Sequence, residues 1–76
     1  MRKTITNVKY QKLLEWLKSA RNKQGLSMRD LAAKLDEPHS FVGKIETAER
    51  RLDVREYVEY CQALNLDPLE GILLLT

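Results

Sequence analysis

Apolar side chains along this chain recur at helical intervals and not in alternation. Val8, Leu13, Leu14, Leu17 and Ala20 recur at helical intervals, with Asn7 before them as an N-cap and Gly25 after them as a stop. The pattern predicts a first helix from Val8 to Gln24. Ser27 followed by Asp30 is a capping box with a short acid, and Leu31, Ala32 and Leu35 line one face of a short second helix from Met28 to Leu35. Pro38 cannot extend that helix but suits the first turn of another. Phe41, Val42 and Ile45 give this third helix, Pro38 to Thr47, its buried side. Asp53 and Glu56 form a second capping box, after which Val54, Tyr57, Val58, Cys61 and Leu64 make the inner stripe of a fourth helix. Asp67, Pro68 and Glu70 repeat the start signal for a short fifth helix from Pro68 to Leu75.

Seventy-six residues leave room for one domain with one modest core, and three glycines with two prolines are too few for the turns of a small β-barrel. The expected fold is therefore all-α, a single five-helix domain over residues 1–76. At 43% hydrophobic and 32% charged residues, the composition is that of a folding chain and not of a disordered tail. Cys61 is the sole cysteine, which excludes an internal disulfide and a thiolate metal cluster, and a reducing compartment follows as the expectation. Ile72 to Leu75 is the longest apolar run, far short of a membrane span, and no signal-peptide core follows the basic start. A cytoplasmic protein with no membrane partner is expected.

Net charge is only +2, yet its distribution is polar. Residues 1–24 carry seven Lys/Arg against Glu15 alone, whereas residues 53–76 carry Arg55 against five acids. A basic end can turn toward a polyanion while the acidic end stays away. One histidine, one cysteine and no Gly-rich phosphate loop leave no metal site, cofactor site, small-molecule ligand or nucleophile–base pair to assemble. An enzyme is not expected. Two short helices joined by a tight turn, the second followed by the basic pair Arg50-Arg51, are the raw form of a helix-turn-helix. Small Ala32 permits the close crossing of helices two and three, and Leu31, Leu35, Val42 and Ile45 fill the wedge between them.

The run Leu26-Ser27-Met28-Arg29-Asp30-Leu31-Ala32-Ala33-Lys34-Leu35, then Ser40 to Glu46, then Glu49 to Val54, resembles the lambda-repressor/Cro-like group, the Xre family of helix-turn-helix regulators. With the flanking helices the resemblance spans residues 8–70. It implies that helix three enters the major groove of double-stranded DNA, with His39, Ser40 and Lys44 at base-contact positions and Gly43 allowing close approach. Ser27, Met28, Arg29, Thr47, Arg50 and Arg51 flank the two helices as backbone contacts. The family pairs an arginine late in helix one with the glutamate that follows the last apolar residue of the recognition helix, here Arg21 and Glu46, and burial beside the core requires those charges to meet. This chain departs from the family's pattern at Met28, where glutamine is common, at Asp36, where glycine is common, and at Thr47-Ala48, where a pair such as asparagine-glycine is common. Methionine offers no strong donor, so a phosphate contact at Met28 rests on the backbone amide. Asp36 can adopt the left-handed conformation of a helix stop, with more strain than glycine.

Tyr10, Trp16, Tyr57 and Tyr60 sit at helical spacing and read as core or core edge, not as base-stacking platforms. Met1 to Lys9 reads either as a basic DNA-binding arm or as a frayed terminus, residues 1–7 being the segment concerned. Ile72, Leu73, Leu74 and Leu75 cannot all face one small core, so they read as a dimer interface or, alternatively, as a buried last turn. The function expected is a sequence-specific transcriptional regulator, a repressor that binds a partly palindromic operator as a homodimer. The alternative is a protein-interaction module such as the antitoxin half of a toxin–antitoxin pair.

Overall fold

A computed structural model describes residues 7–76 of the chain, and within them the backbone forms five α-helices and no strand. They are α1 (Val8–Lys23), α2 (Met28–Lys34), α3 (Ser40–Glu46), α4 (Val54–Ala63) and α5 (Pro68–Leu73). Four of the five begin at a side-chain cap. The carboxamide of Asn7 accepts from the Tyr10 amide at 2.9 Å, Ser27/Asp30 and Asp53/Glu56 close full capping boxes, and Asp67 accepts from the Leu69 amide at 3.0 Å. The exception is α3. Pro38 and His39 precede it and do not open it: the Phe41 amide donates to the Pro38 carbonyl at 2.9 Å in a lead-in turn, and His39 at the N-cap makes no side-chain cap bond.

The helix ends share one device. After α1, α2, α3 and α4 a residue in the left-handed region stops the helix: Gly25 at φ 69°, Asp36 at 57°, Ala48 at 65° and Asn65 at 57°. Each stop closes the paired backbone bonds of a Schellman motif, as in Leu26 N–H to Arg21 O at 3.1 Å with Gly25 N–H to Asn22 O at 3.0 Å. Only Gly25 adopts this conformation without a Cβ penalty, which for other L-residues is about 1–2 kcal/mol. Ala48 keeps its methyl 8% exposed in the core, so burial offsets part of its strain.

The core joins the first four helices. Leu13, Leu14 and Leu17 of α1 meet Leu31 and Ala32 of α2, Phe41, Val42 and Ile45 of α3, and Tyr57, Tyr60 and Cys61 of α4, with Leu64 just beyond it. Leu35 and Ala20 pack at the edge of this cluster, as do Tyr10 and Trp16. Two apolar positions of the helical pattern lie outside. Val8 is 63% exposed and Val54 81% exposed; each is the first residue of its helix, and Val8 lies about two and a half turns from Leu17, on the side of α1 away from the buried leucines.

α5 approaches the body through Gly71. A Cβ there would collide with Tyr57 Oη, stand 2.5 Å from Trp16 Cζ3 and 2.9 Å from Leu13 Cδ1, closer than real side chains come. Tyr57 then donates from Oη to the Pro68 carbonyl at 2.6 Å, and its burial raises the hydroxyl pKa, so the donor keeps its proton. The close approach turns Leu74 toward the core and leaves Leu69, Ile72, Leu73 and Leu75 exposed.

Candidate nucleic-acid interface

α2 and α3 pack against each other through Leu31, Ala32, Val42 and Ile45, which fixes the face that α3 turns outward. His39, Ser40 and Lys44 are all exposed. Ser40 and Lys44 are four residues apart and so lie one above the other on the helix, while His39 and Gly43 form the adjacent row. Ser27 and Arg29 at the start of α2 and Arg51 in the loop after α3 are also exposed. The Ser27 hydroxyl accepts from the Asp30 amide at 3.0 Å and retains its own proton for donation. Met28, the first residue of α2, is 39% exposed.

Three of the residues assigned to DNA contact are otherwise engaged. The Thr47 hydroxyl lies 3.0 Å from the Gly43 carbonyl and 2.8 Å from Glu49 Oε2, and its single proton serves one of these acceptors. Arg50 differs most from the free phosphate anchor its place in a basic loop suggests. Its Nη1 and Nη2 donate to Glu56 Oε1 and Oε2 at 2.9 and 2.8 Å, and the guanidinium carbon lies 4.9 Å from the centroid of the Phe41 ring. The residue clamps the loop between α3 and α4. Lys9, counted with the basic arm, donates from Nζ to the Thr76 carbonyl at 2.9 Å and so ties the start of α1 to the end of the chain. Met1 to Thr6, the rest of that arm, lie outside the described residues.

Glu56 carries the pH dependence of this loop. Its hydrogen bonds from Arg50, and then from the Asp53 amide, hold the carboxyl at about 2, below its ordinary value of 4.5. A carboxylate with a depressed native pKa contributes stability in full above the ordinary value and loses it as pH falls through the native one. Stability is therefore expected to decline from about pH 5 toward pH 2, and the difference between wild type and Glu56→Gln to shrink over the same window. Solvent screening keeps the gain smaller than the shift alone implies. Urea melts at stepped pH read it, and a wild-type–mutant difference that stays constant down to pH 2 contradicts it.

Behind the outward face, Arg21 and Glu46 meet in the interior. Arg21 Nε donates to Glu46 Oε2 at 2.6 Å and Nη2 to Oε1 at 3.1 Å, while Nη1 donates to the Leu26 carbonyl at 2.8 Å. Their side chains are 8% and 4% exposed. The hydrogen bond to Glu46 raises the Arg21 pKa against the opposing effect of burial, so the guanidinium stays charged. This bidentate contact fastens the last turn of α3 to the end of α1 and to the turn entering α2.

The four residues assigned to a dimer contact are divided by the structure. Ile72 is 43%, Leu73 69% and Leu75 37% exposed, whereas Leu74 packs against the core. Leu69, 70% exposed, joins the exposed set at a spacing of four residues from Leu73. The sequence carried that signal, since Leu69 and Leu73 share a helix face. Among the described residues, no cluster of His, Cys, Asp and Glu could hold a metal ion, and no helix is long and apolar enough to cross a membrane.

The helix-turn-helix family model matches residues 17–70, and the chain belongs to this family. An XRE-family like protein from Pseudomonas syringae pv. tomato str. DC3000 is 45% identical, with a TM-score of 0.82 over 88% of this chain and 82% of that one. The restriction-modification controller protein C.AhdI from Aeromonas hydrophila is 30% identical, with a TM-score of 0.68 over 84% of this chain and 92% of that one. The clp gene regulator ClgR from C. glutamicum shares the fold at 17% identity, with a TM-score of 0.77 over 91% of this chain and 90% of that one. A comparison with curated proteins gives no match. The chain is thus an all-α, XRE-type helix-turn-helix regulator, of a DNA-binding and not an enzymatic kind.

Proposed function

We propose that the chain is a cytoplasmic transcriptional repressor that binds a partly palindromic operator as a homodimer. The observation that carries this reading is the division of α3: Phe41, Val42 and Ile45 are locked in the core, while His39, Ser40 and Lys44 stand exposed on the opposite side. A helix held so rigidly from behind presents polar side chains in fixed register to base edges. Lys44 can donate to guanine O6 or N7, His39 to a purine N7, and Ser40 to several edges. On this reading Arg29 and Arg51, both exposed, serve as cations for phosphates, and the first turn of α2, with Ser27, Met28 and its amides, supplies further backbone contacts. Exposed apolar residues on α5 supply the surface for a second copy. Likeness to the 45% and 30% identical proteins, an XRE-family like protein and a restriction-modification controller protein, supports a regulatory role. Occupying a site that overlaps a promoter represses without any effector.

Selection of bound sequences from a random DNA pool tests the reading, followed by titrations of the selected site at several salt concentrations. A steep loss of affinity with salt and a recovered half-site repeat are the expected outcome. Lys44→Ala should remove about 1–3 kcal/mol of discrimination at one base pair, whereas Arg51→Ala should weaken selected and random DNA alike and reduce the salt slope by about one. Binding without salt dependence, or no selected sequence, would favour the protein-interaction module instead, for which the exposed α5 face is the partner surface.

A further inference from the structure

Most of the exposed large apolar residues lie on α5 or at the first turns of α1 and α4; Met28 is the exception among the described residues, the one such side chain on the α2–α3 unit. Its sulfur reaches across to the middle of α3, where a Cβ added to Gly43 would stand 3.6 Å from Sδ, an ordinary contact distance. Gly43 follows His39 by four residues and Ser40 by three, and precedes Thr47 by four, so it belongs to the outward face of α3. The place where that face lacks a side chain is thus bordered by a thioether from the neighbouring helix.

We propose that Met28 and Gly43 form an apolar notch that receives the 5-methyl group of a thymine, a specificity contact separate from those of His39, Ser40 and Lys44. The inference rests on the DNA-binding reading above. Its chemical ground is the inventory of the major groove, where base edges present donors and acceptors and the thymine methyl is the one apolar group. A thioether has no donor and is a weak acceptor, so it cannot hold a phosphate or pair with a polar edge. Pressed against a cytosine or a purine it would desolvate polar atoms and return nothing, whereas against a methyl it buries apolar surface on both sides. The notch therefore favours thymine by attraction and disfavours other bases by desolvation. The unbranched side chain of Met28 can settle around the methyl without backbone movement, and absence of a Cβ at Gly43 leaves the room.

Deoxyuridine scanning of the selected operator tests this, since replacing thymine by uracil deletes the methyl and leaves base pairing and hydrogen-bond edges intact. In the wild type, one thymine per half-site should lose about three- to fivefold in affinity when demethylated, the size expected for one buried methyl group. In Met28→Gln that position should become insensitive to the methyl while binding elsewhere in the site keeps its base preferences. Met28 is exposed enough for this substitution to leave the fold intact, which a thermal melt checks. A flat uracil scan on a tightly bound operator would overturn the notch and leave DNA recognition standing, and so would a sensitive thymine that stays sensitive in Met28→Gln. Failure of the wild type to select any operator would overturn both.

Discussion

Replacing Glu46 by alanine is expected to lower the unfolding free energy by about 3–5 kcal/mol, the usual cost of stranding one member of a buried ion pair. The carboxylate takes two of the three hydrogen bonds of the Arg21 guanidinium, and the residue bearing that cation is 7% exposed. Without Glu46 the charge keeps only the Leu26 carbonyl as a partner, in a place where water cannot replace the rest. Arginine cannot escape by losing its proton, because its pKa lies far above any working pH. For a domain of this size the loss is a large share of total stability, so the variant should melt far below the wild type in urea or on heating. Glu46→Gln, which keeps one acceptor, should cost less. Arg55→Ala gives the contrast: its partner is Glu59 at 3.0 Å with side chains 73% and 48% exposed, so its removal should leave the melt close to that of the wild type. A Glu46→Ala protein that melts with the wild type would show that the pair does not hold α3. Because Glu46 is the last residue of α3, its loss should also blur the aim of the reading helix, and operator affinity should fall even where the fold survives.

Legibility from sequence followed the reach of each interaction. The helices and their caps were readable because a capping box and an apolar stripe are local, and the observed starts of α1, α2, α4 and α5 fall where Asn7, Ser27, Asp53 and Asp67 put them. The start of α3 was not, since Pro38 satisfies the first-turn rule equally well in the lead-in turn it actually forms. Helix stops were readable at Gly25 and Asp36, but Ala48 has no turn chemistry to announce a positive φ and holds it through tertiary packing of its methyl. Apolar spacing put Val54 on the inner side of α4 by angle but not by depth, whereas Val8 stands about two and a half turns from Leu17 and so on the opposite side of α1 from the buried leucines. The engagement of Arg50 by Glu56 depends on how the loop between α3 and α4 folds back over six residues. Likewise the inward turn of Leu74 depends on Gly71 meeting Trp16 and Tyr57 from other helices. The candidate DNA surface was legible as a set of residue types on one helix, since subtracting the core positions of α3 leaves its outward ones. Which bases they meet is a property of the pair of molecules and not of this chain alone.

Replacing Leu69 and Leu73 together by glutamate is expected to convert a dimer into a monomer and to lower operator affinity by about 10²–10⁴-fold, the gain that linking two binding units ordinarily supplies. Leu69 and Leu73 are 70% and 69% exposed and lie on one face of α5, with Ile72 at 43% and Leu75 at 37% beside them. A helix of six residues that leaves four large apolar side chains in or next to it exposed is unlike a finished surface, and a second copy covers such a patch with its own equivalent through a two-fold axis. On the proposed reading, α3 and its N-cap offer three base-contact side chains, too few to specify a site alone, whereas two copies would read two half-sites about 34 Å apart on one face of DNA. Leu74 is left unchanged in this test because it packs on the core, and altering it would confound dissociation with unfolding. The two substituted residues are exposed, so the variant should keep the melting behaviour of a folded monomer while one added charge at each position repels its mate across the axis. Sedimentation at micromolar concentration reads the oligomeric state, and titration of the selected operator reads the affinity. A wild type that sediments as a monomer both free and with operator would end the dimer, and the exposed leucines would then be the surface for a different protein partner.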